Sequence, residues 1–451
     1  MSEDPYILTP ENIKEPPTAF RGRLRYLGPS FILSASIVGS GELIATTTLG
    51  AKAGFVTFWV VIVSCLVKVM VQLEMGKHTI LSGESAMKAF SALPGPQWGG
   101  SRWSVWLVLL IQSVKLLQLG GIVGGVAIIL NMIWPQIPLV VAVFVVVIVV
   151  ALLVFKGYYG SIEKISLVLI AFFTIFTFTA LYFLTYTDYA LTWDSIASGL
   201  RFQLPVAAVA VVFGAFGITG VGGDEIIHYN YWCLEKGYAA HTGPNDGSPE
   251  WQQRARGWIK VMHLDALLAM VIYTMVTAAF YLLGAAVLHV QGRVPEGYEV
   301  IESLSNMYTA SLGPNAKPWF LLGSFVVLFS TLFAALAALT RQYSDIFGQL
   351  GWIDFLDLRQ RKRSIAILAW ALPLLWAIMF LFMKLPVLMV IIGGIMGSIL
   401  LLLVVIATLH FRYWRTEAAF KPKLVYDLVL WLSVASISMV ALYGFIQLSN
   451  H

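Results

Sequence analysis

Eleven stretches of about twenty apolar residues, separated by short polar connections, constrain this chain more than any other feature. They run over roughly 29–51, 54–74, 104–133, 137–155, 165–187, 205–232, 261–290, 318–340, 364–383, 386–409 and 425–448. A stretch of that length crosses the hydrocarbon of a bilayer as a helix, and a helix is the open-chain structure that satisfies its own backbone there. The pattern therefore predicts an all-α polytopic membrane protein with 11 transmembrane helices. Composition agrees: 59% of residues are hydrophobic and 12% charged, against about 25% charged in soluble domains. An ordinary soluble enzyme is excluded. The two cysteines, Cys65 and Cys233, are too few for a disulfide framework or a metal cluster. The N-terminal stretch lacks the short apolar core and small-residue cleavage site of a signal peptide, so insertion is expected to begin with the first span.

Charge placement sets an expected orientation. With the N-terminus in the cytoplasm, 22 of the 29 Lys and Arg fall in inside segments, five fall outside (Lys52, Arg201, Arg293, Lys317, Lys384) and two, Lys68 and Lys115, fall within spans. This asymmetry follows the positive-inside rule. An odd number of spans puts the C-terminus outside, and a cell inner membrane is the expected location. The longest polar connections, 233–260 and 291–317, are expected inside and outside respectively. The basic residues form no patch with interleaved aromatics, which argues against nucleic acid as a partner. The bilayer is the expected partner.

The chain also repeats itself. Val38-Gly39-Ser40-Gly41-Glu42-Leu43-Ile44 in span 1 superposes on Val221-Gly222-Gly223-Asp224-Glu225-Ile226-Ile227 in span 6 at an offset of 183 residues, with the Val, the first Gly and the Glu identical. Two copies of a five-span unit must run through the membrane in opposite senses, which is the inverted repeat of many secondary transporters. The expected organisation is an N-terminal cytoplasmic segment (1–27), a first repeat (28–190), a second, inverted repeat (200–410), and a linker with the eleventh span (411–451). Glycines weaken helix at mid-span. Backbone opened at that depth must be buried or line a polar cavity, so spans 1 and 6 are expected to be unwound near 39–42 and 222–225 and to meet at mid-membrane. The competing reading makes the glycines packing residues and Glu42 and Glu225 helix caps.

At these residues the chain resembles the NRAMP (natural-resistance-associated macrophage protein) divalent-metal transporters, whose fold is the leucine-transporter-type pair of inverted five-helix repeats with broken helices 1 and 6. Gly28-Pro29, then Gly39-Ser40-Gly41-Glu42, Gly50-Ala51 and Gly54 keep the spacing of that family's first span, where the break reads Asp-Pro-Gly-Asn. Span 7 is similar through Asp265-Ala266-Leu267, Thr277-Ala278-Ala279 and Ala285-Ala286-Val287-Leu288-His289. By the resemblance, the family's metal-binding Asp falls on Gly39 and its Asn on Glu42. Its Met-Pro-His-Asn falls on Gly222-Gly223-Asp224-Glu225, or one residue earlier if the family's later His is matched to His228. The acidic pair of its third span falls on Leu119 and Ile122, with Lys115 and Gln118 nearby. The family's soft methionine is absent, a drift shared with the NRAMP-related magnesium transporters.

The residues suggest a substrate independently. A charge at the bilayer centre costs about 2.5–3.5 kcal/mol, so Glu42, Asp224 and Glu225 are expected to hold a cation, with Gly39 and Gly222 opening backbone beside them. Carboxylates without thioether favour hard ions such as Mg²⁺ and Mn²⁺. The expected function is secondary transport of such an ion by alternating access; it is substrate, and no cofactor is implied. Lys115, deep in span 3, is expected to pair with Glu42 or Glu225. Lys68 either snorkels to the inner surface or joins Lys115 and His228 in coupling. His228 reads equally well as a satisfied helix histidine, and Asp265 as a helix-start residue. The alternative is an amino-acid or other small organic solute transporter, with Lys115 neutralising the acidic site. Membrane-embedded enzymes are excluded by the lack of a nucleophile with its base or a His-Glu-x-x-His motif. A channel would offer rings of groups from several subunits, whereas one chain with a pseudo-twofold suffices here, so a monomer is expected.

Overall fold

The computed structural model describes residues 4–155, 159–205, 208–421 and 424–449; Lys156 and Lys423, counted above toward orientation, lie outside them. Among these residues nine helices are long and apolar enough to cross a membrane. They are Pro29–Ala53 (span 1), Phe58–Ser82 (span 2), Trp103–Ile133 (span 3), Val209–Glu235 (span 6), Pro249–His289 (span 7), Ala316–Gln349 (span 8), Leu358–Met383 (span 9), Pro386–Arg415 (span 10) and Leu424–Gly444 (span 11). The shorter apolar helix Leu139–Phe155 supplies span 4, and Tyr159–Leu184 supplies span 5. Helices thus occupy all eleven expected positions, and among the described residues nine of them are long and apolar enough to cross a membrane. Side chains such as Leu110, Ile175, Phe382 and Leu432 are exposed and apolar, as a lipid-facing surface requires.

Helix reaches further into the polar connections than hydropathy suggested. Much of 233–260 is helical: Tyr238–Thr242 forms a separate turn, and span 7 begins at Pro249 with Ser248 accepting from the Trp251 N–H. Proline at the first helical position and a serine cap are start signals in their own right. The connection 291–317 holds the helix Val300–Leu312.

Span 6 lies backbone to backbone on span 10. A methyl added at Gly217 would come within 1.8 Å of the Gly394 carbonyl oxygen, and one at Gly394 within 2.2 Å of the Gly214 carbonyl oxygen. Small residues allow such an approach where lipid gives no hydrophobic drive for association. Span 1 is anchored at its start by Asp265 of span 7, which accepts the backbone N–H of Gly28 at 2.8 Å and of Ser30 at 2.7 Å. Asp265 is therefore not a start residue of its own helix, as the sequence suggested. It lies well inside span 7 and caps span 1 across the interface.

One end of the bundle is strapped by the N-terminal segment. Tyr6 donates to Glu235 at 2.9 Å, and Arg341 grips the same carboxylate at 2.5 and 2.9 Å. Arg361 reaches Asp4 at 2.7 Å, the Lys14 N–H donates to the His241 carbonyl, and Trp258 donates to the Lys14 carbonyl. The His241 ring packs on Trp258 with centroids 4.9 Å apart.

Burial, with the nearby Lys14 charge adding to it, holds the His241 imidazole down at about 4 against an ordinary 6.5. Between those values the unfolded chain binds more protons than the folded one. The stability this contact contributes is fully present above about pH 6.5 and is lost as pH falls toward 4. Melting temperature followed from pH 7.5 to 4.5 should fall across that window, and His241→Gln should flatten the slope. An equal slope in the variant would contradict the assignment.

Candidate functional site

The break in span 6 organises the centre of the molecule. The first half-helix, Val209–Ile218, stops at Thr219, which is extended, and the second, Gly223–Glu235, starts after Gly222. Gly220 between them has φ +66°, a conformation that glycine adopts at no steric cost. The break thus lies at 219–222, slightly earlier than expected, and Asp224 and Glu225 occupy the first turn of the second half-helix. Thr219 meets Thr46 of span 1, hydroxyl to hydroxyl at 3.2 Å.

Both exposed helix ends are answered by buried groups. On the carbonyl side Lys68 of span 2 donates to the Phe216 carbonyl and, at 2.7 Å, to the Thr219 carbonyl. Lys68 does not snorkel; its side chain is fully enclosed, because the C-terminal end of the half-helix leaves carbonyls unsatisfied and favours a cation. On the amide side Glu225 accepts the Gly222 N–H at 3.0 Å, the reciprocal half of a capping box. A methyl at Gly222 would lie 2.5 Å from that Glu225 oxygen, which accounts for this glycine. Asp224 forms an ion pair with Lys115 of span 3. Lys115 therefore pairs with neither Glu42 nor Glu225, since Asp224, one residue earlier in the same turn, faces span 3.

A cavity of about 20 Å³ opens beside this pair, lined among others by Gly41, Gln112, Gln118, Asp224, Glu225 and His228. That volume holds about one water-sized group. His228 shares a hydrogen bond of 2.9 Å with Gln342 of span 8.

Span 1 takes a different form from the open break expected at 39–42. Pro29–Ser40 is α-helical, Gly41–Thr46 is a six-residue π segment, and α-helix resumes at Thr47. The stretch Gly39-Ser40-Gly41-Glu42 contains no proline to force the chain open. The shifted register leaves carbonyls that side chains satisfy: Thr46 donates to the Gly41 carbonyl at 2.9 Å and Thr47 to that of Glu42 at 3.2 Å. Such π segments are frequent at functional sites. Glu42 is fully buried; its carboxylate accepts from Thr277 of span 7 at 2.8 Å and faces the Gly220 backbone at the span 6 break. Gly39 is a close-approach residue, since a methyl there would sit 1.6 Å from the Thr331 hydroxyl of span 8.

Asp224, Glu225 and His228 thus line one cavity, with Lys115 held beside it through Asp224, while Glu42, Lys68 and Gly39 lie around the break without lining the cavity. Among the described residues no three His, Cys, Asp or Glu side chains form a group able to hold a metal, so the three-carboxylate cluster expected from sequence is not assembled in this state. Sequence reasoning missed Gln112, Gln342 and Thr277. Buried polar residues in otherwise apolar runs were the available signal, and Gln112 carried it, whereas Gln342 falls just past the 318–340 run.

A family model described as natural resistance-associated macrophage protein-like matches residues 30–447. The divalent metal cation transporter MntH of Mycobacterium leprae is 26% identical over 304 residues, covering 66% of this chain and 65% of that protein's length. The Eremococcus coleocola manganese transporter superposes with TM-score 0.68 at 16% identity, covering 97% of this chain and 90% of that one. MhsT in complex with L-phenylalanine superposes with TM-score 0.59 at 15% identity, over 96% of this chain and 99% of that one. At these identities the structural likeness speaks for the fold.

A buried ion pair is costly to break from one side and much less so from both. Lys115→Met should lower unfolding stability by about 3–5 kcal/mol, and the double variant Lys115→Met with Asp224→Asn should recover much of that loss. Thermal or denaturant unfolding in detergent reads both. A double variant no more stable than the single one would contradict the pairing.

Proposed function

The chain belongs to the natural resistance-associated macrophage protein-like family, and from that premise we propose that it is a secondary transporter carrying a hard divalent cation, Mg²⁺ or Mn²⁺, by alternating access. The observation that carries this reading is the Asp224–Glu225 pair at the start of a half-helix, in a central cavity where the other polar side chains are the amides of Gln112 and Gln118, the His228 imidazole and the hydroxyls of Ser36 and Thr331, set among apolar groups. Carboxylates with carbonyl or water oxygens suit hard cations, and no thioether lines the cavity to favour soft ones. Mg²⁺ is held by one or two carboxylates while it keeps several waters.

A cavity of about 20 Å³ is too small for a partly hydrated ion, so loading requires the half-helices of span 6 to part from spans 1 and 3. Lys115 must then leave Asp224, because an ammonium and a divalent ion on one carboxylate repel strongly in a low dielectric. Glu42, seated between Thr277 and the break, joins the ion's surroundings as span 1 moves. Gly39 and Gly222 let these elements approach closely, and His228 and Lys68 flank the path. The strapped end is the cytoplasmic one, the C-terminus is external, and one chain in a cell inner membrane is the working unit.

The Lys115–Asp224 pair also favours a second reading. A carboxylate that already accepts an ammonium suits a small organic amine or amino acid, with Lys115 exchanging for the substrate's own amino group.

Proteoliposomes holding the purified chain should take up Mg²⁺ or Mn²⁺, with Cd²⁺ gaining no special advantage. Glu225→Gln should reduce that uptake at least tenfold, whereas loss of a cap alone would cost only about 0.5–2 kcal/mol of stability, and Asp224→Asn, which also leaves Lys115 unpaired, should reduce uptake as strongly in the protein that folds. Unchanged uptake in both variants would remove the site assignment. Uptake of an amino acid without any metal flux would establish the second reading.

A further inference from the structure

Lys68 is a buried charge that the transport reading leaves without a task of its own. Its ammonium rests on the carbonyls of Phe216 and Thr219. Ser64, one turn earlier on the same span, sends its hydroxyl to these same two carbonyls at 3.3 and 3.0 Å. The Phe216 ring centroid lies 4.6 Å from Nζ. Among the described residues no carboxylate is ion-paired with Lys68; Glu42 and Glu225 act on it through space, as do Cys65 and Lys115. The ammonium is thus held by oxygens of the backbone.

Backbone carbonyls, a neighbouring hydroxyl and the negative end of a half-helix make up the chemistry that binds a small monovalent cation. Carbonyl oxygens replace its hydration shell, the C-terminal end of a helix favours positive charge, and an aromatic face adds attraction. We infer that the Lys68 ammonium is a tethered substitute for a monovalent metal cation, so that the broken end of span 6 is held together without Na⁺ or K⁺ from solution. The surroundings of the ammonium form a cation site already filled by the chain itself. Removing the amine together with its stem opens that site to a free ion. This inference does not depend on which cargo the protein carries.

The test compares thermal unfolding of the full-length protein in detergent in NaCl, KCl and choline chloride at equal ionic strength. The wild type should melt at one temperature in all three salts. Lys68→Ala should melt lower in choline chloride and recover most of the loss, saturably, as Na⁺ or K⁺ replaces choline. Lys68→Met should lose stability without recovery in any salt, because its thioether stem occupies the space while bringing no charge. That split distinguishes a cation substitute from a side chain that merely packs. A wild type stabilised by Na⁺ or K⁺ over choline would overturn the inference, as would a Lys68→Ala variant that neither ion restores or that fails to fold in either salt. A Lys68→Met variant as stable as the wild type would overturn it as well.

Discussion

Backbone left unpaired inside an apolar bundle must find partners, and the break in span 6 is where this molecule meets that demand. The first half-helix ends at Ile218 and the second begins at Gly223, so carbonyls face one way and amides the other within the buried length of span 6. Each end carries its own answer. Lys68 covers the carbonyls, and Glu225 takes up the Gly222 amide. Asp224, beside it, is balanced by Lys115. Lysines from spans 2 and 3 converge on one interruption, and the placement of spans 1, 7 and 10 follows from it. Thr46 and Glu42 of span 1 face the break, Thr277 of span 7 holds Glu42, and Gly394 of span 10 lets the first half-helix lie flush.

The fold was largely legible in the sequence, because apolar runs in lipid admit few solutions and the runs were long. The eleven helix positions, nine of them long and apolar enough to cross a membrane among the described residues, and the sequence repeat joining Val38–Ile44 to Val221–Ile227 needed only hydropathy and an offset. Local detail was harder. Glycine content alone does not distinguish an open break from a register shift. Span 6 opens at Gly220, where φ is +66°, while span 1 stays helical through a π segment closed by Thr46 and Thr47. The partners of the charges were less legible still. Lys115 facing Asp224 rather than Glu42, Lys68 turning inward, and Asp265 capping Gly28 and Ser30 of a span more than two hundred residues away are all tertiary contacts. No period or propensity within one helix encodes them.

The central cavity combines two chemistries that the sequence set against each other. Asp224 and Glu225 are suited to a hard cation, and Lys115 is suited to neutralising them while the ion is elsewhere. In the structure the lysine holds the place, with a cavity of about 20 Å³ beside it. On the proposed reading, transport is an exchange of partners on Asp224 that accompanies the motion opening the cavity. The strap of Tyr6, Glu235, Arg341, Asp4 and Arg361 ties one end of the bundle together, and on the proposed reading that end loosens when the site empties through it.

The most direct test of this account is a structure of the protein determined with Mn²⁺, using anomalous scattering to locate the ion. The account predicts a peak between spans 1 and 6, within ligand distance of the Asp224 carboxylate, with the Lys115 ammonium withdrawn from it and Lys68 still on the Phe216 and Thr219 carbonyls. A bound ion at that depth with the Lys115–Asp224 pair intact, or an ion bound away from Asp224 and Glu225 altogether, would contradict it.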